Sequence, residues 1–266
     1  MNLLPPKRWV LWSLVTFSLV TLSLPTIIII GASFTTGEII EFPPDGFSFR
    51  WYQRLWELDE FTDAFVRTFI VSAICTAIAV PVGTLAALAS VRYRLRFQRT
   101  IQVYLLLPFT IPLVVSGIAL MIFFGEIRIL GNLWPVGLAL CLINLPFMIW
   151  SVSSTVNALD PELGNAAANC GAPPIQAFFA VTLPAVMPGV ITGALLMFIL
   201  AFNEFLVSLF LTDTRTVTLP VKIYNSIRSV ITPDLAAVSV VYILVALLAV
   251  WLLDRLVGLD IFLKSR

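Results

Sequence analysis

Histidine is absent from the 266 residues. With it goes the commonest general base, proton relay and transition-metal ligand at neutral pH. Charge is scarce as well: 12% of residues are Asp, Glu, Lys or Arg, against about a quarter in soluble domains. The three cysteines, Cys75, Cys141 and Cys170, have neither metal-ligand nor disulfide spacing and read as small core packers. No G-x-x-x-x-G-K-[ST] loop and no G-x-G-x-x-G after a strand occurs, so the chain lacks the usual means of binding and hydrolysing ATP. The net charge is +1, and the basic run Arg92-Tyr-Arg-Leu-Arg-Phe-Gln-Arg99, four arginines in eight residues, is weak as a nucleic-acid patch and suits a short cytoplasmic loop. No cofactor or metal site and no enzymatic activity are expected.

What is abundant is apolar: 59% of residues are hydrophobic and the mean hydropathy is +1.00. The fold class expected is an all-α polytopic membrane protein, one transmembrane domain over 1–266 with a core of about 60–255. Six apolar runs are long enough to span, at about 9–31, 64–90, 101–124, 132–152, 188–211 and 235–253. The first exceeds the roughly 7–15 apolar residues of a signal peptide, which favours a retained helix. Pro81 and Gly83 are expected to bend the second. Pro108 and Pro112, in LLLPFTIP, free backbone carbonyls that only protein or water can satisfy at membrane depth. A kinked helix lining a solute pathway and a purely structural kink both fit. Between the first two runs, Phe47, Phe49, Trp51, Tyr52 and Trp56 suggest a segment at the membrane interface.

Six spans put both termini on one side. With the ends inside, cytoplasmic segments hold Lys7, Arg8, Arg92, Arg94, Arg96, Arg99, Arg255, Lys264 and Arg266. Arg50, Arg54, Arg67, Arg128, Arg215, Lys222 and Arg228 fall on the other side. The short loops favour cytoplasmic termini, and the 159–184 loop is then cytoplasmic too. In that loop Asp160-Pro161 is a helix start. Leu163, Ala166, Ala167 and Cys170 recur at helical spacing, and Gly171 permits a positive φ that ends the helix. Pro173 and Pro174 suit a second start, from Ile175 to about Leu183, with Pro184 as its stop.

These residues resemble a family signature. Binding-protein-dependent ABC importer permeases carry E-A-A, three residues, G, nine residues, I-x-L-P. This chain has Asn165-Ala166-Ala167, three residues, Gly171, nine residues, Val181-Thr182-Leu183-Pro184, with Asn165 for the Glu and Val181 for the Ile. The resemblance implies that the loop docks a cytoplasmic ATPase, which would supply the ATP hydrolysis this chain lacks. Glu162, one turn earlier, is a candidate to replace the missing carboxylate.

The other candidate site is Asn203-Glu204. Counted from Pro188, Glu204 lies 16 residues on, roughly 24 Å along a helix, near the outer interface but inside an apolar run. An ionisable group at such depth usually faces a polar cavity or a partner. A pathway role, suited to a cationic or amine-bearing solute, stands beside an ion pair with Arg215 or Lys222, or solvation at a helix end. The 202–240 stretch, with Thr218-Leu219-Pro220-Val221-Lys222-Ile223-Tyr224 and Thr232-Pro233-Asp234, and Phe49-Arg50-Trp51-Tyr52 resemble the spermidine/putrescine importer permeases, in particular their second permease subunit. That resemblance implies a heterodimer of permeases, an ATPase dimer, an extracytoplasmic solute-binding protein and alternating access. The pair aligned with Asn203-Glu204 is often doubly acidic there. A secondary transporter or channel uncoupled from any ATPase is the alternative.

Overall fold

The computed structural model describes residues 8–40, 42–57, 59–92, 98–160, 162–229 and 232–257, and every regular element among them is helical. Pro161, the basic residues Lys7, Arg94 and Arg96, and Lys264 and Arg266 lie outside the described residues. Among the described residues four helices are long and apolar enough to cross a membrane, and two shorter apolar helices accompany them. The chain divides into two compact units, Met1–Thr62 with Ile223–Val245, and Asp63–Lys222 with Ala246–Arg266.

In the first unit, α1 (Arg8–Ala32) is apolar on every side and buries none of its hydrophobic window. A helix without a polar face is at home in lipid or against another protein. After it, α2 (Arg50–Glu57) is amphipathic. It docks through Trp51, which is buried and donates its indole N–H to the Thr35 carbonyl at 2.8 Å. The Tyr52 and Ser33 hydroxyls share a 2.7 Å hydrogen bond, and the Tyr52 ring lies 5.4 Å from that of Phe34. The expected interfacial aromatic segment is therefore a short helix with a folded loop around it.

The second unit is built on α3 (Asp59–Arg92), α6 (Leu133–Ala158) and α9 (Leu183–Phe202). Around them stand α4 (Gln98–Thr110), α5 (Leu113–Glu126), the short α7 (Leu163–Asn169) and α8 (Pro174–Ala177), and α10 (Leu206–Leu211). Helices in a bilayer gain no hydrophobic effect from meeting each other, so close packing of small residues holds them. The α6–α9 seam follows that rule. A Cβ on Gly189 would collide with the Thr155 hydroxyl and come within 2.9 Å of Thr155 Cβ, and Ser151 donates to the Gly189 carbonyl at 2.9 Å. Met148, fully buried on α6, lies against Gly83 of α3 and Gly193 of α9. Thr68 of α3 accepts the Leu219 N–H at 2.7 Å, fixing the start of α11 (Leu219–Ser229); α12 (Pro233–Val257) closes the described chain.

Several expectations change. The 101–124 run is not one kinked helix but α4 and α5, separated at Ile111–Pro112. Pro108 stays inside α4, whereas Pro112 precedes α5 with an extended ψ of 132°. Having no N–H, Pro112 cannot continue α4, yet its carbonyl accepts from Val115 and Ser116 and starts α5. The 188–211 run is likewise divided, α9 ending at Phe202 and α10 starting at Leu206. The polar stretch 212–234 contains the whole of α11. Of the cysteines, Cys75 and Cys141 are buried, but Cys170 is exposed.

Candidate functional site

Two places gather the residues singled out above: the hairpin between α6 and α9, and the break between α9 and α10. The hairpin begins where Leu159 turns extended and the Asp160 carboxylate accepts the Glu162 N–H at 2.9 Å. One short helix later, α7 stops at Gly171, whose φ is +83°. Gly171 N–H bonds the Ala168 carbonyl at 2.9 Å and Ala172 N–H the Ala167 carbonyl at 3.1 Å. This pair of bonds is a Schellman motif, which needs a left-handed residue that glycine adopts without a Cβ clash. Pro173 is extended and Pro174 opens α8. The chain then widens into a π-helical turn, Phe178–Thr182, in which Leu183 N–H reaches back to the Phe178 carbonyl.

That π turn corrects the reading of Pro184 as a stop. Leu183 and Pro184 open α9 directly after the π turn, so Pro184 sits at a junction of two helical segments and not at a stop. The helical path therefore runs on from Pro174 to Phe202, and the wider turn before Pro184 spares its ring the usual clash with the preceding carbonyl.

Hydrophobic residues on this hairpin are left uncovered. Ile175 is 75% exposed and Phe179 62%, with Leu163, Ala166 and Cys170 also exposed. Leu183 and Phe178, half-buried, pack against the core of the unit, so the rim is anchored while its outer face stays bare. The polar residues meet: Asn165 donates from Nδ2 to Glu162 Oε2 at 2.8 Å. Asn165 thus orients a carboxylate rather than supplying one.

At the second place, the Asn203-Glu204 pair serves the backbone. Asn203 bonds the Ile199 carbonyl through both its N–H, at 3.1 Å, and its side-chain amide, at 2.9 Å, closing α9. The half-buried Glu204 carboxylate accepts the Val207 N–H on both oxygens at 3.0 Å and the Ser208 N–H at 3.1 Å, opening α10. A helix broken within an apolar run must satisfy its freed groups internally, and this polar pair does so from both sides. Of a carboxylate's roughly four acceptor positions, three are engaged here. The pairing with Arg215 or Lys222 considered above is replaced by capping, a role that the i to i+3 spacing of Glu204 and Val207 could have signalled. The two short helices born at breaks, α5 and α10, pack together. A Cβ on Gly117 would lie 2.8 Å from the Phe210 ring. Beside the break, the Phe202 ring stands 5.8 Å from those of both Phe65 and Phe198, with Phe69 5.3 Å from Phe198.

The polar loop 212–218 adds one tuned group. The Thr216 hydroxyl and the Arg215 N–H both donate to the Asp213 carboxylate, holding its pKa below the ordinary value of 3.8.

Comparison with known proteins gives concordant matches. A family profile, described as binding-protein-dependent transport system inner membrane component, matches residues 79–259. The chain is 28% identical over 202 residues to the spermidine/putrescine transport system permease protein PotC of Haemophilus influenzae, covering 76% of this chain and 79% of that protein. Its backbone resembles a chain of a bacterial ABC transporter that imports the acidic polysaccharide alginate (TM-score 0.75, 15% identity, 96% of this chain and 99% of that one). It also resembles a chain of the alginate transporter in complex with a pentasaccharide-bound periplasmic protein (TM-score 0.71, 16% identity, 97% and 96%).

Proposed function

We propose a function from one premise: the chain belongs to the binding-protein-dependent transport system inner membrane component family. It is a membrane-embedded permease subunit of an ATP-driven importer, a transport component and not the ATP-hydrolysing one. The observation that carries this reading is the exposed hairpin in a chain that has no nucleotide-binding motif. Ile175, Phe179 and Leu163 leave apolar surface bare on the hairpin, which also carries Glu162 hydrogen-bonded to Asn165. Such a surface suits a groove on a cytoplasmic ATPase dimer, with Glu162 available for a charge-assisted contact.

Six crossings follow if α1, α3, α4 with α5, α6, α9 with α10, and α12 each span once, placing both termini and the hairpin in the cytoplasm. The broken helices then face a solute pathway shared with a second permease, as interrupted helices do in other transporters. Proline breaks at Pro108–Pro112 and the Asn203-Glu204 caps mark its walls. The solute is a small amine of the polyamine class. The relative named for spermidine and putrescine supports this, as do the remaining acceptor position on Glu204 and the neighbouring Phe rings, which attract cations. An extracytoplasmic binding protein delivers it, and the assembly alternates access as the ATPase closes.

Cys170 provides the test. It is exposed on the hairpin while Cys75 and Cys141 are buried, so maleimide labelling of the folded chain reports on Cys170. Assembly with the ATPase should slow labelling about tenfold or more by removing it from solvent. An unchanged rate in an assembled, ATP-hydrolysing complex would refute docking at this hairpin.

A further inference from the structure

The first unit holds a pocket on α2 and the loop before it. It is an open depression of about 310 Å³ lined by the exposed Glu38, Arg50, Gln53 and Arg54 around the buried Trp51. Trp51 is its rigid wall, only 3% exposed and pinned through its indole N–H to Thr35. Two guanidinium groups stand over that ring, Arg50 at 4.3 Å and Arg54 at 5.8 Å from its centroid. Arg50 also donates to the Gly37 carbonyl at 3.5 Å. Among the described residues Arg50, Arg54 and Glu38 form no ion pair with one another, and all three line the pocket.

Two cations and one carboxylate around an aromatic face match a zwitterion whose anionic part is the more strongly charged. Paired arginines present forked donors that fit phosphate oxygens, and a carboxylate fits a primary ammonium. The surroundings name the source. Ile39, Phe42, Phe47 and Phe49, on the same loop, are 68%, 52%, 81% and 67% exposed, and the lipid-compatible α1 ends just before them. Aromatic and aliphatic side chains of this kind sit favourably among lipid headgroups.

We infer that the pocket holds the headgroup of a phosphoethanolamine lipid, its phosphate on Arg50 and Arg54 and its ammonium on Glu38. A phosphoglycerol headgroup supplies the phosphate but leaves Glu38 unmatched. A phosphocholine headgroup places three methyl groups where Glu38 needs N–H donors.

The test uses the transporter assembled with its partner subunits, stripped of lipid in detergent. Phosphatidylethanolamine, phosphatidylglycerol and phosphatidylcholine of identical acyl chains are then titrated, with bound lipids counted by native mass spectrometry. One phosphatidylethanolamine should bind about tenfold or more tightly than the other two, the scale of one charged hydrogen bond. The double variant Arg50→Gln/Arg54→Gln should lose that bound lipid, and Arg50→Lys/Arg54→Lys should keep most of it. Glu38→Gln should still bind lipid but lose the preference over phosphatidylglycerol, a change that impaired folding would not produce. No preference in the wild type, or wild-type retention in the double Gln variant, would overturn the inference. So would soluble phosphoethanolamine binding as tightly as the lipid, since the pocket would then serve a free solute. None of these results bears on the hairpin.

Discussion

Replacing Glu204 separates its two roles, because one depends on hydrogen bonding and the other on charge. In Glu204→Ala, the Val207 and Ser208 N–H groups, both in buried residues, lose their acceptor. Hydrogen bonds to a charged group contribute about 1.5–3 kcal/mol and a whole N-cap about 0.5–2 kcal/mol. Because the residue is half-buried and water can partly substitute, the loss should be about 2–4 kcal/mol. For a chain of this size that corresponds to a fall in Tm of about 5–12 °C. Glu204→Gln keeps an amide oxygen that can accept at least one of the two donors, so it should lose about 1 kcal/mol, or about 2–4 °C. Thermal unfolding of the assembled transporter in detergent reads these shifts. Uptake of putrescine into proteoliposomes, measured well below both transitions, reads the charge. Glu204→Gln should reduce uptake about tenfold or more, the scale of one lost charged contact, with basal ATP hydrolysis little altered. A Glu204→Ala variant within 1 °C of wild type (about 0.4 kcal/mol or less) would refute the capping argument. Full uptake in Glu204→Gln would refute the cationic pathway while leaving the cap in place.

Gly171→Val should insert and assemble but lose coupling between ATP hydrolysis and transport, because a φ of +83° is costly for a β-branched residue; normal uptake per ATP would sink the hairpin's role. Gly189→Ala should destabilise by about 1–3 kcal/mol, since the added methyl meets Thr155 and the Ser151 carbonyl at 3.1 Å. Gly193→Ala should cost less, because its neighbour is the flexible Met148 side chain; equal losses in Tm would contradict this packing. Asp213, with its pKa lowered by Thr216 and Arg215, contributes stability above the unfolded-state pKa and loses it as pH falls through the lower folded value. The Tm difference between wild type and Asp213→Asn should therefore be present at neutral pH and fade below about pH 4. A difference that grows on acidification would reverse the sign of the argument.

Local punctuation was readable from the sequence alone. Gly171 followed by two prolines dictates a left-handed helix end whatever surrounds it, and the structure places one there. Breaks inside apolar runs were not readable at 111–112 and 203–205, because hydropathy records solvation and is blind to whether the backbone within it is continuous. Pro112 was recognised as a perturbation, yet only its surroundings decide between a kink and a new start. Pro184 misled for the opposite reason: a residue that ends helices also begins them, and the π turn before it leaves no composition signal. Glu204 was found by its charge, but its hydrogen bonds depend on α10 existing at all. The helix α11 was hidden by its polar residues, since length-based reading of membrane chains passes over short amphipathic segments.

The uncovered α1 has a consequence for how this chain can change over generations. Ahead of Gly31, which packs on the Phe42 ring, and the buried Ala32, α1 buries none of its apolar window, so bulk and shape along that window are free to drift while greasiness is kept. Any stripe along α1 that nevertheless refuses substitution would be held by another molecule, and mapping that stripe by saturation mutagenesis would draw the partner's outline.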